Sequence, residues 1–402
     1  MDAVDWQLAL GRAPGLTAQL LRTTLARLDA AHGAGCALAE LLGRRSGALP
    51  TLGWPAATCA ALQALDSRRI ANDRRWVERE QIVLVDAAAQ RYPPLLAQIP
   101  AAPPLLYVKG DATLLASPQL AMVGSRHPTQ PGRRTAYEFA AHLASAGVTV
   151  SSGLALGIDA ASHEGALHVA GRTLAVLGTS LDTVYPPQHR ALAARIASQG
   201  ALISQFPPGT PPLKANFPRR NRILSGLCAG TLVVEAAQCS GALITARLAA
   251  RIGRQVFAIP GSIHNPLSRG CHALIREGAK IIESPQELLD ELGFHLPKQS
   301  VMFELRSAGG SGTRAATLDK GCEILLDALG YAPASLDSLV VQTGLPSQSV
   351  ASMLLILELE GAVGVHAGGR YMRLQAPAAD SATRARSELL TAAVRPLMSD
   401  DG

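Results

Sequence analysis

Aromatic residues are scarce, at 4% of a 402-residue chain that is 48% hydrophobic, so a core must be built from Ala, Leu, Val and Ile. Cysteine is sparse too. Six cysteines, Cys36, Cys59, Cys228, Cys239, Cys271 and Cys322, form no C-x-x-C pair, which excludes a disulfide framework and a thiolate zinc site. His127, His163, His168, His264 and His272 show neither H-x-x-x-H nor H-E-x-x-H spacing, so no metal is expected. There is no G-x-x-x-x-G-K-[ST] to cradle ATP phosphates, and no cofactor is implied. Charged residues interrupt every apolar run, and MDAVDWQLAL lacks a basic n-region and a long apolar stretch. A soluble protein of the cytoplasm, with no membrane contact, is the expectation.

The most telling scarcity is local. Between Thr183 and Arg276 there is one acid, Glu235, against eleven bases: Arg190, Arg195, Lys214, Arg219, Arg220, Arg222, Arg247, Arg251, Arg254, Arg269 and Arg276. With a net charge of +6 for the whole chain, that segment at +10 leaves −4 for the remainder. A positive field concentrated in one segment attracts a polyanion, although some of these arginines could serve internal ion pairs.

Helical spacing dominates residues 1–85, in WQLALGRAPGLTAQLLRTTLARLDAA and in PAATCAALQAL, on either side of a Gly/Pro/Ser segment from Gly43 to Pro55. Pro14, Gly15 and Leu16 resemble a helix-hairpin-helix turn, whose amides can meet a DNA phosphate; a protein-interaction module accounts for them as well. From about Gln81 the texture changes to short apolar runs alternating with helical segments: LAMV at 120–123, VTVSSG at 148–153, TLAVLG at 173–178, ALISQF at 201–206, TLVVEAA at 231–237, QVFAIPG at 255–261 and AKIIES at 279–284. Continuously apolar strands need cover on both faces, and right-handed crossovers then give an α/β fold, a doubly wound and mainly parallel sheet. Ligands of such sheets sit beyond the carboxyl ends of the strands.

The loops at those ends carry the chemistry. Gly124, Ser125 and Arg126 follow a strand and lead through Pro128, Pro131 and Gly132 into a helix, a geometry in which backbone amides and the helix dipole favour a phosphate. Arg126 adds a bidentate donor fork. A later loop, PPGTPPLKANFPRRNRILSG, supplies Lys214, Phe217, Arg219, Arg220, Asn221 and Arg222. Phe217 either stacks on an unpaired base or packs inward beside Pro218.

Seven ordered stretches over residues 90–295 resemble the DNA-processing protein DprA (Smf) family: VGSR at 123–126, SGLALGIDAASHEGAL at 152–167, AVLGTSLDTVYP at 175–186, FPPGTPP at 206–212, FPRRNRILSGL at 217–227, VVEAAQCSGALITA at 233–246 and PGSIHNPLSRGCHALIREGA at 260–279. The resemblance implies an N-terminal helical domain of the SAM or helix-hairpin-helix kind over 1–85, an extended Rossmann-like core over 86–296, a linker over 297–316, a winged-helix-like domain over 317–376 and a tail over 377–402. It also implies a function without catalysis: a homodimer that binds and protects incoming single-stranded DNA and helps load the RecA recombinase during natural transformation. The strand would be gripped by Gly124, Ser125, Arg126, Lys214, Phe217, Arg219, Arg220, Asn221 and Arg222. Leu156, Ser180, Gln205, Ala242 and His272 depart from the usual pattern.

An enzyme is the alternative. Gly230, Thr231 and Glu235 more distantly resemble nucleotide phosphoribohydrolases, and Asp159 and Glu164 flank His163, offering an acid and a base, although Asp159 could instead cap its own helix.

Beyond Phe294, RSAGGSGTRAA at 306–316 reads as a flexible linker. CEILLDALG, LDSLVVQTG and SVASMLLILELEG then read as three helices, and VGVHAGGRYMRL as a hairpin, which is a winged-helix pattern. Six acids against Lys320 between Thr317 and Gly364 speak against a DNA-reading helix and for a protein partner.

Overall fold

The computed structural model describes residues 2–32, 53–294, 325–326, 328–329, 333–359, 362–366 and 368–374. The linker and the tail, like residues 43–52, lie outside the described residues. Two compact units emerge: Met1–Pro128 with Gly132–Gln299, and Thr129–Pro131 with Ser300–Gly402.

The larger unit begins with helices α1 (Ala3–Arg12), α2 (Ala18–His32), α3 (Ala56–Gln63) and α4 (Ser67–Arg79). Asp2 and Asp5 close a reciprocal capping box on α1, and Asp66 accepts the amides of Arg68 and Arg69 to start α4. These helices bury Trp6, Leu8, Leu10, Ile70 and Trp76 in one cluster with the sheet that follows. Strand β1 (Val83–Asp86), helix α5 (Pro94–Ala97) and strand β2 (Leu105–Gly110) form the seat: Trp76 meets the Tyr107 ring edge-on at 6.4 Å. The Arg12 fork grips Asp73 at 2.5 and 2.7 Å across α1 and α4. The turn at Pro14–Leu16 leaves Pro14 and Gly15 exposed and buries Leu16, and it is tied down by Thr58 Oγ1 donating to the Pro14 carbonyl at 2.5 Å and by the Ala18 amide donating to Ala102 at 2.8 Å. The Ala18 amide is thus committed to the fold rather than offered to a phosphate.

Seven further strands follow: β3 (Gln119–Val123), β4 (Thr149–Ser152), β5 (Thr173–Val176), β6 (Ala201–Ser204), β7 (Gly230–Val233), β8 (Gln255–Ala258) and β9 (Lys280–Ile281). Helices α6 (Gln130–Ser145), α7 (Ile158–His168), α8 (Arg190–Gln199), α9 (Asn216–Leu227), α10 (Gly241–Arg251) and α11 (Arg269–Arg276) connect them, and α12 (Pro285–Leu292) follows. The sheet order is β1-β2-β6-β5-β4-β3-β7-β8-β9, parallel from β6 to β9 and antiparallel at β1 and β2. Every residue of β3 to β7 is buried, including the polar Gln119, Thr149, Ser151, Ser152, Thr173, Ser204 and Thr231 that stand among the apolar ones. The chain lays β3 first, works outward to β6, then returns to place β7 on the other side of β3. The switch point, where crossovers diverge and leave a crevice, therefore lies between β3 and β7.

The smaller unit holds β10 (Ala334–Ser335), α13 (Leu336–Thr343), α14 (Ser347–Leu359), β11 (Val363–His366) and β12 (Arg370–Arg373). Gly344, left-handed at φ +67°, ends α13, and α14 departs at 113° to it. Leu339, Val350, Leu354, Leu357 and Val363 form its core, and the sheet runs β10-β12-β11, a winged-helix arrangement. No single helix among the described residues is long and apolar enough to cross a membrane.

Candidate nucleic-acid interface

Arg126 stands on the loop that leaves β3. Gly157, at the start of α7, lies beneath that loop: it is held at φ +80°, and a Cβ there would fall 2.3 Å from the Ser125 carbonyl and 2.8 Å from the Arg126 carbonyl carbon. The Ile158 amide donates to Ser125 O at 3.1 Å, docking the turn on the first residue of α7. Arg126 itself is exposed and has no acidic partner among the described residues.

The anion cradle expected at this turn is built differently. The Ser125 amide donates to the Glu235 carbonyl at 2.6 Å, and the Ser125 hydroxyl, buried, accepts the His127 amide at 3.1 Å. Helix α6 starts at Gln130, six residues beyond Gly124. Its first turn is met by the Glu235 carboxylate, whose Cδ lies 2.3 Å from where a Gly132 Cβ would stand. Asn265 Nδ2 donates to the same carboxylate at 3.3 Å. An internal anion thus occupies the positive end of α6 in the switch-point crevice.

The loops after β4, β5 and β6 form the rest of the rim. Arg220, on α9, is buried, and its Nη1 donates to Val176 O at 2.8 Å and also to Gly153 O, tying the ends of β5 and β4. Its Nε donates to Asn221 Oδ1 at 2.8 Å. Burial pulls the Arg220 pKa down and the nearby Asp159 charge pushes it back up. Arg220 and Asn221 therefore brace the rim from within, and the guanidinium expected on DNA is spent on carbonyls. Asp159 does not cap its helix: its Oδ2 accepts the amides of Gly153 and Ala155 at 3.1 and 3.2 Å. Burial raises its pKa.

Phe217 is half-buried. Its ring presses on Gly178, where a Cβ would stand 2.9 Å from Cδ1, and the Arg220 guanidinium lies 5.9 Å from the ring centroid. Tyr185, on the β5 loop, packs against it with ring centroids 5.7 Å apart and planes at 57°. Tyr185 is 43% exposed. Sequence reasoning passed over it as part of a family motif; a tyrosine beside two prolines in an otherwise aromatic-poor loop was the available signal. Beyond β6, Lys214 is exposed, Arg219 lies 5.4 Å over the buried Phe206 ring, and Arg222 is half-buried, none with an acidic partner among the described residues.

The charge surplus thus divides. Arg220 is internal, Arg254 donates to Leu95 O at 3.0 Å, and Arg247 pairs with Glu277 at 2.7 Å, while Lys214, Arg219 and Arg222 join Arg126 on the rim. The acid and base of the enzyme alternative do not converge. His163 is fully buried, its Nδ1 2.7 Å from Thr173 Oγ1, which spends its own proton on Val150 O. His163 must then donate from Nδ1 as the neutral ring, and burial depresses its pKa to about 3. Glu164 faces Arg133 on the surface at 3.6 Å. Among the described residues no group of three His, Cys, Asp or Glu side chains is placed to hold a metal ion.

The model of the family described as DNA recombination-mediator protein A matches residues 83–293, and a DprA winged helix domain model matches 311–369. Protein Smf of Escherichia coli is 43% identical over 303 residues, covering 75% of this chain and 79% of its own. The DNA processing protein DprA of Streptococcus pneumoniae is 47% identical over 203 residues, 50% of this chain and 72% of its own. The crystal structure of that pneumococcal protein superimposes with a TM-score of 0.61 at 35% identity, covering 72% of this chain and 99% of the other. With more than half its length matched by the family model and a relative 43% identical covered over 79% of its length, the chain belongs to the DNA recombination-mediator protein A family, also known as DprA or Smf.

Proposed function

We propose that this chain binds single-stranded DNA along the carboxyl rim of β3, β4, β5 and β6, protects it, and helps load the RecA recombinase on it during natural transformation. The observation that carries the reading is the row of cations with no acidic partner among the described residues, Arg126, Lys214, Arg219 and Arg222, on loops braced by Arg220 and Asn221. Gly124 and Ser125 act as the turn that holds Arg126 over α7, and Phe217 backs the aromatic part of the rim. Phosphate contacts position a strand without specifying it, so little sequence preference follows. Membership of a family of recombination mediators supports delivery to a recombinase. A homodimer in the cytoplasm would double the footprint. We read the C-terminal unit as a protein-binding module: α14, with sequence SQSVASMLLILEL, carries few donors for base edges.

The Glu235 carboxylate at the positive end of α6 argues against a nucleotide phosphate there, and the separation of Glu164 from buried His163 argues against glycosidic-bond cleavage. The test is a fluorescence-anisotropy titration of single-stranded and duplex oligonucleotides of one length with wild type, Arg126→Ala, Lys214→Ala and a chain ending at Ser311. Tight single-strand binding, lost in both point variants and kept by the shortened chain, with no base released from nucleotide monophosphates, is expected. Binding indifferent to both point substitutions, or release of free base, would hand the site to the enzyme reading.

A further inference from the structure

The most exposed ring on the rim is not the one that the basic loop supplies. Phe217 has one side against Gly178 and Arg220, and Tyr185 lies on it, leaving it half-buried. Tyr185 is the outer member of the pair at 43% exposure, in a chain with six tyrosines among 402 residues. We infer that Tyr185 is the stacking platform for an unpaired base, held in place by Phe217 beneath it, while Arg126 and Lys214 hold the flanking phosphates. The inference rests on the single-strand reading above and adds to it the residue that contacts bases.

Three observations support it. The loop that carries Tyr185 is locked: Thr179 Oγ1 donates to Thr183 O at 2.5 Å, and Ser204 Oγ donates to Thr179 O at 2.6 Å. That loop is also tied to the one leading to Lys214, since the Thr210 amide donates to Ser180 Oγ at 3.1 Å and the Gly209 amide to Asp182 Oδ2 at 3.0 Å. A ring already fixed before binding loses little freedom on stacking, which is where such contacts gain affinity. Finally, Leu213, next to Lys214, is 52% exposed. Apolar surface left open beside cations that have no acidic partner among the described residues, on neighbouring strand ends, suits a ligand that is charged along one edge and flat and apolar along the other.

The experiment compares an oligothymidylate with an abasic strand of the same length, by fluorescence anisotropy at one salt concentration, for wild type, Tyr185→Ala, Tyr185→Leu and Arg126→Ala. Wild type is expected to bind the base-bearing strand about tenfold more tightly than the abasic one, a stacking increment of ordinary size. Tyr185→Ala and Tyr185→Leu should erase that ratio while leaving the abasic affinity unchanged. The leucine keeps bulk against Phe217, and an intact abasic affinity shows that the rim is still folded. Arg126→Ala should weaken both strands and keep the ratio. A ratio that survives both Tyr185 substitutions overturns the assignment and leaves the single-strand reading standing. Failure of wild type to bind either strand sinks that reading, and this inference with it.

Discussion

Arg126 and Arg220 are both arginines beside the same loops, yet only one can reach a ligand. Arg220→Met would leave Gly153 O and Val176 O without their donor and Asp159 buried without its nearby positive charge. We expect it to cost about 2–4 kcal/mol of stability and to lower DNA affinity as a consequence, read from urea midpoints beside binding curves. Arg126→Ala should lose affinity with stability unchanged to within about 0.5 kcal/mol. His163 sets a pH dependence. Its folded pKa of about 3 lies below the ordinary value of 6.5, so the unfolded chain takes up a proton that the folded one refuses. Stability is therefore fully present above pH 6.5 and is lost as pH falls through the window toward 3. Between roughly pH 7.5 and 5 the loss should be about 2 kcal/mol, and His163→Asn should flatten that part of the urea-midpoint profile.

At the scale of elements, the β3 loop and α7 act as one piece through Gly157. Gly157→Ala asks for a side chain in a backbone region reserved for glycine and drives it into the Ser125 carbonyl. The expected result is at least about 2 kcal/mol of lost stability and a severalfold loss of DNA affinity although no charge is removed. An unchanged Kd would mean that the position of the Arg126 loop is immaterial. The family resemblance and the strand-by-strand reading both put Arg126 on a carboxyl-end loop, and there it stands. What could not be read was that the positive end of α6, which starts at Gln130 and so takes in Pro131 and Gly132, is met by Glu235, more than a hundred residues away in sequence. Sequence spacing says nothing about which side chain folds back into a crevice.

For the whole molecule the useful quantity is the salt dependence. Four rim cations, each neutralising one phosphate, give a slope of log affinity against log salt of about −3, from the single-strand coefficient of about 0.7 per contact. A slope near zero in the anisotropy titration would remove the electrostatic basis of the proposal. Eleven bases in one segment would have suggested a steeper slope, but Arg220, Arg247 and Arg254 are engaged inside the protein or by Glu277.

The doubly wound sheet is legible in the amino-acid order, because short runs rich in Val, Ile, Leu and Thr, too short for helices, alternate with helical segments that can cover both faces. The amino-acid order by itself also determined the winged-helix unit, through Gly344 between two helical patterns and the paired strands that follow. It located the cationic loops at the carboxyl ends of strands. Only the tertiary structure decided which of those residues face outward, since Arg220 and Arg222 differ by two positions on one helix and point to opposite fates. It alone paired Phe217 with Tyr185 and turned Glu235 onto Gly132. Burial of a polar group depends on which distant backbone atoms are left needing a donor or an acceptor, and that demand exists only once the strands have been laid side by side.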